Sequence, residues 1–388
     1  MYQFLVAAPI LVIFMIALLG YAFGRISIKG LSLGTGAVLL VALVFGHFFH
    51  QYSVINSVTP FSMPSIVQEM GLVLFVTSVG FIAGPRFFKN FKGHAVSYLI
   101  LGVAIVLVGV LTCAGIILIT KLDTDLAVGL LAGALTTTPG LAVVNEVTGT
   151  ATASIGYGIA YPFGVIGVVL FVQLAPRIFK TDMQKEREQF AKAEVASTVE
   201  KKKKILQIDP QGFFGFALAV VLGVLLGKIE IPFANGVTFS LGTSGGPLIA
   251  GLLLGHFGTV ARVNVTMNKE TLKALRELGL TLFLIGAGFK AGAGFVDVLV
   301  QYGAMLFVYG VIMTIIPMIV GLFLARKVLK LGMLNSLGSI CGGMTSTPAL
   351  GALIKTAETD DVATSYAATY PIAIAVIVIT FQVLCLIF

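Results

Sequence analysis

Two short stretches of this chain combine hydroxyl side chains with a helix-starting proline: Thr136-Thr137-Thr138-Pro139-Gly140 and, 209 residues later, Thr345-Ser346-Thr347-Pro348-Ala349. The set contains no nucleophile–base pair and no metal ligands, so the chemistry open to it is reversible binding of an anion. Threonine is a good N-cap, and proline suits the first helical turn because its φ is already fixed for a helix. Thr138-Pro139 and Thr347-Pro348 are therefore expected to start helices. Each start would present free N–H groups, at Gly140 and Leu141 and at Ala349 and Leu350, together with the positive end of a helix dipole. Thr136, Thr137, Thr345 and Ser346 add hydroxyl donors, and Asn145 lies about a turn and a half beyond the first tip. Tyr157 and Tyr161, and again Tyr366 and Tyr370, are spaced to share one helix face, with a proline after the second of each pair. A lone Thr-Pro would read as a kink whose hydroxyls bond back to carbonyls. The pairing at matching positions favours a binding site, with the tyrosines as belt residues or pocket wall.

The elements that must position these groups are membrane helices. The chain is 57% hydrophobic and 11% charged, against roughly 25% charged in soluble domains. Its apolar runs are mostly about 17 to 25 residues long, enough to cross the hydrocarbon of a bilayer. The lipid bilayer is thus one partner, and the run from Gln3 to Phe23 reads as a retained span, lacking a basic leader and a cleavage site. The net charge of +8 does not call for nucleic acid, because the basic residues flank apolar spans, where topology accounts for them. Cys113, Cys341 and Cys385 read as small apolar thiols, and the four histidines form no zinc pattern. No cofactor is expected. Asp123 and Asp125 lie at a span boundary and make no catalytic pair, so no enzyme is expected either.

The chain repeats itself at an offset of 208 to 209 residues. Glu69-Met70-Gly71-Leu72 returns as Glu277-Leu278-Gly279-Leu280, and Tyr157, Tyr161-Pro162 and Gln173 return as Tyr366, Tyr370-Pro371 and Gln382. The expected fold is an all-α polytopic membrane protein of two repeats, 1–176 and 212–388, joined by a charged, solvated linker over 177–211. Each repeat is read as five spans plus one re-entrant hairpin, at about 126–150 and 334–357. Each hairpin arm reaches about 15 Å, half the bilayer. With both termini outside, this arrangement puts every lysine and arginine except Lys121, Lys228 and Lys290 on the cytoplasmic side, linker included. Letting both Thr-Pro segments cross fully would strand most of them outside. Five spans is an odd number, so the second repeat enters inverted, as in secondary transporters with a midplane site between repeats. Glu69 and Glu277 fall near span starts, at interface depth, and glycines beside the tips (Gly133, Gly342, Gly343) serve packing or hinging.

Around the tips the sequence resembles the aspartate:alanine exchanger family of bacterial inner-membrane transporters. Gly133-Ala134-Leu135-Thr136-Thr137-Thr138-Pro139-Gly140-Leu141 and Gly342-Gly343-Met344-Thr345-Ser346-Thr347-Pro348-Ala349-Leu350 look like that family's duplicated signature. The resemblance implies exchange of a small anionic or zwitterionic substrate, such as aspartate against alanine or export of succinate, without ATP hydrolysis. It also implies a homodimer with an elevator-like moving domain. Many members carry a soluble regulatory domain in the central loop, and 177–211 is too short to hold one. No arginine stands at either tip, so backbone N–H groups and hydroxyls would have to hold a carboxylate. A sodium- or proton-coupled carboxylate carrier is the alternative. An ion channel is a more distant one, since the tips lack the carbonyl runs and charge rings of a filter.

Overall fold

With no water in hydrocarbon to satisfy backbone N–H and C=O groups, apolar runs become helices. A computed structural model describes the chain except residues 1, 26, 29–30, 33–35, 149–151, 193–205, 233–237, 293–299 and 301–302. Within its helices and strands the side chains at 3, 27–28, 31–32, 36, 86–92, 138–139, 142, 145–146, 154, 189–192, 238–239, 244 and 291 also lie outside the description. Along the chain run α1 (Tyr2–Ala7), α2 (Pro9–Gly24), α3 (Gly36–Ile55), α4 (Ser65–Thr120), α5 (Thr124–Ala134), α6 (Thr138–Thr148), α7 (Thr152–Ile178) and α8 (Met183–Lys192). They are followed by α9 (Phe213–Gly227), α10 (Gly242–Phe257), α11 (Lys269–Gly292), α12 (Ala304–Phe323, continued by a π-helical turn over Leu324–Val328), α13 (Met333–Gly343), α14 (Thr347–Ala357) and α15 (Val362–Ile387). Three two-residue antiparallel ladders join helix ends, pairing Ser27–Ile28 with Leu31–Ser32, Ile231–Pro232 with Thr238–Phe239, and Thr259–Val260 with Val263–Asn264.

Among the described residues, six helical stretches are long and apolar enough to cross a membrane: Ala37–Ile55, Ser65–Pro85, Gly93–Thr120, Ile155–Ile178, Ala304–Val328 and Val362–Ile387. The protein is a multi-pass, mostly helical membrane protein. Four of the ten expected spans fall outside that set. Helices α2, α9 and α10 are shorter, at 16, 15 and 16 residues, and the first turns of α11 carry Lys269, Glu270, Lys273, Arg276 and Glu277. The apolar runs at 65–84 and 95–120, which count as two of the five spans of the first repeat, are parts of one continuous helix, α4, with Pro85 inside it.

Helices from the two halves interleave. The first part of α4 packs on α10, α11 packs on α3, and α4 and α11 pack on each other. Glycine makes these crossings possible by letting backbones touch. A Cβ on Gly80 or Gly84 would lie 2.5 Å from the carbonyl oxygen of Leu248 or Leu252. On Gly288 or Gly292 it would lie 2.6 or 2.0 Å from that of Leu39 or Leu43. Where α4 crosses α11, the facing residues are Gly71 and Gly279, which occupy matching positions of the duplicated sequence. The remaining helices, from the second part of α4 through α7 and from α12 to α15, enclose the two Thr-Pro segments around a core that includes Leu101, Ile105, Leu131, Leu337 and Phe381.

Charged groups line the joint between these two groups of helices. Arg276 of α11 pairs with Asp360, and Lys355 of α14 lies 2.7 Å from Glu277, while Glu69 is exposed as its place near a span start suggests. Beside them opens a cleft of about 460 Å³ whose walls include Phe81, Pro85, Met267, Lys273 and Asp360. The linker is not wholly solvated. Within α8, Glu186 accepts a hydrogen bond from the N–H of Leu334 (3.4 Å) and faces Arg326 at 3.8 Å, and Arg187 lies 2.7 Å from Glu358. The charged helix thus sits on the outer ends of α13 and α14. A helix N-terminus favours a carboxylate, which explains why Glu186 docks there.

At the far end of the linker Asp209 receives the N–H groups of Phe214, Phe213, Gly212 and Gln211 at the start of α9. The Phe214 N–H above all, and the other three with it, hold its carboxyl below the ordinary carboxylate range, against partial desolvation that pushes the other way. The folded pKa is depressed, so this stabilisation is present above the unfolded value and is lost as pH falls through the folded one. Asp209→Asn is expected to speed amide exchange at Gln211–Phe214 at neutral pH. The difference from wild type should vanish on acidification, at a pH below the usual carboxylate value. Equal exchange at neutral pH would refute the cap.

Candidate functional site

Each Thr-Pro segment forms two helices of 11 residues, α5 and α6 or α13 and α14, joined by a tight turn. At 1.5 Å per residue each arm is about 16 Å long. Asp123 starts α5 by accepting the Leu126 N–H at 3.0 Å. The first arm ends in the same way in both hairpins. The N–H of Thr136 bonds to the Gly133 carbonyl and that of Thr137 to Ala132, while Thr345 bonds to Gly342 and Ser346 to Cys341. This Schellman pattern needs a left-handed residue, a place usually taken by glycine. Here it is threonine, at φ +53° for Thr136 and +49° for Thr345. A β-branched residue there is strained by about 1–2 kcal/mol.

The reason for threonine lies across the gap. Thr136 Oγ1 donates to the Met344 carbonyl at 3.1 Å, and Thr345 Oγ1 donates to the Leu135 carbonyl at 2.8 Å. The two tips are joined by a reciprocal pair of hydrogen bonds between side chains and carbonyls of opposite halves. The second arms extend the exchange: α6 packs on α15 and α14 packs on α7, whereas α5 packs on α7 and α13 on α15. Each tip is therefore held between the last helices of both halves.

The helix starts differ from expectation by one residue. Helix α6 begins at Thr138 and α14 at Thr347, so the caps are Thr137 and Ser346 and each proline is the second helical residue. Thr137 Oγ1 accepts the Gly140 N–H at 3.2 Å, and the N–H groups of Leu141 and Leu350 reach the carbonyls of Thr137 and Ser346. Gly140, Leu141 and Leu350 thus do not offer free N–H groups, because starting the helix one residue earlier gives each an internal partner. Ala349 keeps no side-chain cap.

Thr136, Thr137, Gly140, Thr345, Ser346, Thr347, Pro348 and Ala349 are all buried at the meeting point. Thr347 Oγ1 lies 3.2 Å from the Tyr366 hydroxyl. Tyr157 and Tyr161 stack at 5.1 Å, and Tyr366 and Tyr370 face each other at 5.4 Å, on the helices that carry the hairpins. Tyr161, Tyr366 and Tyr370 are buried and Tyr157 is half-buried, so they do not form an exposed belt. The side chains of Thr138, Pro139 and Asn145 lie outside the described residues. Gly133 and Gly342 are packing residues, each pressed against the backbone of its tyrosine pair, and Gly343 is pressed against Ile105.

Sequence reasoning overlooked buried polar groups on and around α13 and α15. Tyr98 donates to Asn335 Oδ1 at 3.2 Å, and the hydroxyls of Ser339 and Thr364 are buried without a partner. The signal was available: at the duplicated positions of Ser339 and Thr364 the first half has Leu130 and Ile155.

This arrangement matches known proteins along nearly the whole chain. The family model described as the predicted permease membrane region of the aspartate–alanine exchangers matches residues 12–177 and 215–386, leaving out the linker. An uncharacterized transporter of Bacteroides fragilis is 30% identical, with 96% of this chain and 97% of the relative covered. Another, from Bacteroides thetaiotaomicron, is 29% identical at the same coverage. A putative transport protein of Histophilus somni is 24% identical over 98% of both chains. The alignment to the B. fragilis relative spans 526 residues, more than the 388 of this chain, so that relative carries residues that this chain lacks. A signature present at both tips, a family match on both sides of the linker and relatives named as transporters lead to one conclusion: the chain belongs to the aspartate–alanine exchanger family of membrane permeases, and its function is transport.

Proposed function

We propose that the protein is a secondary carrier that exchanges small carboxylates or amino acids, of the aspartate, alanine or succinate kind, by alternating access. The observation that carries this reading is the crossed pair of hydrogen bonds between Thr136 and Thr345 and the opposite tips. Strained residues persist where the surroundings over-determine them, and they cluster at ligand clamps. Two helix starts brought together inside a buried bundle suit an anion. On this reading the halves are inverted repeats of five spans and a hairpin each, 1–176 and 212–388, with the linker and the joint of Arg276 and Asp360 on the cytoplasmic side and both termini outside. The hairpins with α7, α12 and α15 move as one body against a scaffold built on α3, α10 and α11, in an elevator-like step within a homodimer of the bacterial inner membrane. The carboxylate enters beside the tips and the crossed pair seals it.

Counterflow in liposomes tests the reading. Protein preloaded with a panel of amino acids and dicarboxylates should take up labelled substrate only against a countersubstrate, with or without sodium. No counterflow for any member would sink it, and dependence on sodium would move it to a coupled carrier. Single cysteines at the exposed Ser57 and at Ser197 should label from opposite faces; labelling from the same face would overturn the topology.

A further inference from the structure

The two tips share one backbone path but differ in what their capping residues do. We infer that the substrate's carboxylate is anchored by the second hairpin alone, through Ser346 Oγ and the first-turn N–H of Ala349, while the first hairpin closes over it. This rests on the carrier reading above.

In the first tip the cap is complete. Thr137 Oγ1 accepts the Gly140 N–H at 3.2 Å, so that N–H is engaged and the first tip is left with the hydroxyl proton alone to offer. In the second tip Ser346 has an extended backbone, φ −90° and ψ 92°, and makes no side-chain cap. Its hydroxyl is fully buried and has no partner. Buried polar groups are almost always paired, and one left unpaired in a native fold calls for an explanation. Here the hydroxyl stands at the start of an 11-residue helix whose first turn is buried, where the dipole favours negative charge. A hydroxyl and an adjacent N–H, both donors, match the two oxygens of one carboxylate.

The surroundings differ in the same sense. Ser339 and Thr364 also bury unpartnered hydroxyls, and their counterparts in the first half are Leu130 and Ile155. On the helices of the second half, α13 and α15, two further unpaired hydroxyls thus accompany Ser346 where the matching first-half positions are apolar. The ligand class is a molecule with one anchoring carboxylate. A second charged group meets no free N–H at Gly140, which is already engaged.

The test compares Ser346→Ala, Ser346→Thr and Thr137→Ala by carboxylate-dependent thermal stabilisation and by counterflow. Ser346→Ala should raise the half-saturating concentration at least tenfold with the unliganded midpoint little changed, and Ser346→Thr should recover most of that loss. Thr137→Ala should chiefly lower the unliganded midpoint, as loss of a cap does. The affinity loss in Ser346→Ala should exceed the loss in Thr137→Ala about tenfold or more. Ser346→Gly replaces the alanine variant if that does not fold. If wild type binds and exchanges carboxylates while Ser346→Ala behaves like wild type, or both alanine variants lose affinity alike, the single anchor is wrong and the carrier reading stands. If wild type neither binds nor exchanges any carboxylate of the panel, the carrier reading falls and the anchor falls with it.

Discussion

Valine at Gly342, or at Gly133, is expected to leave almost no folded protein. A Cβ on Gly342 would sit 2.7 Å from the Tyr366 carbonyl oxygen and 3.1 Å from the Tyr370 nitrogen; on Gly133 it would sit 2.6 Å from the Tyr157 oxygen and 2.9 Å from the Tyr161 nitrogen. These are backbone atoms of α15 and α7, which cannot swing aside as a side-chain end can. Overpacking a well-packed site costs about 1–3 kcal/mol and more where the backbone must shift. Helix association in a membrane depends on such close packing, since lipid tails are as apolar as the helices. Separating α13 from α15 by even an ångström also withdraws the Met344 carbonyl from Thr136. A cost of about 3 kcal/mol or more lowers the folded-to-unfolded ratio more than a hundredfold, and takes most of a marginal balance of about 5 kcal/mol. The monodisperse peak on size exclusion after solubilisation should disappear. Gly115→Val, whose Cβ would meet nothing within 4 Å, is the control. A Gly342→Val profile like that of the control would refute the crossing.

The second large effect separates stability from activity. Thr136→Gly with Thr345→Gly should keep or raise the thermal midpoint while coupled exchange falls about thirtyfold and leak without countersubstrate rises. Glycine adopts the left-handed turn freely, which relieves about 1–2 kcal/mol of strain at each site. It also removes a hydroxyl whose net contribution is about 1 kcal/mol, so the folded state loses little. The seal loses both bonds together, about 2 kcal/mol, which at about 1.4 kcal/mol per factor of ten gives the expected fall. Full coupled exchange in the double variant would show that the crossed pair is only structural. A midpoint several degrees lower would show that the bonds outweigh the strain.

Much of this was legible in the residues, and the misses have physical causes. The hydrophobic runs marked the helices, and the two Thr-Pro segments marked the breaks, because both signals are local. The cap positions were displaced by one residue because threonine fills three consecutive places before Pro139, and propensity does not choose among them. The Schellman turns were hidden because Thr136 and Thr345 occupy a place that local rules reserve for glycine; only a partner more than 200 residues away explains them. The docking of α8 was hidden for a similar reason. A helix with Glu186 and Arg187 on it looks like any solvated charged helix until the start of α13 and Glu358 are brought beneath it.

That docking makes the order of the halves consequential. Helix α8 follows the first half in the chain yet is seated on the hairpin of the second, through Glu186 at Leu334 and Arg187 at Glu358. A gene rearranged to begin at Leu206 and end at Lys192, with its old ends joined, would keep the described helices, the Asp209 cap and the seat of α8. A rearrangement that cut before Met183 would instead place α8 at the opposite end of the polypeptide from the first half. Two hairpins so alike in their turns are thus not interchangeable as modules, because the polypeptide after one carries the fastening of the other.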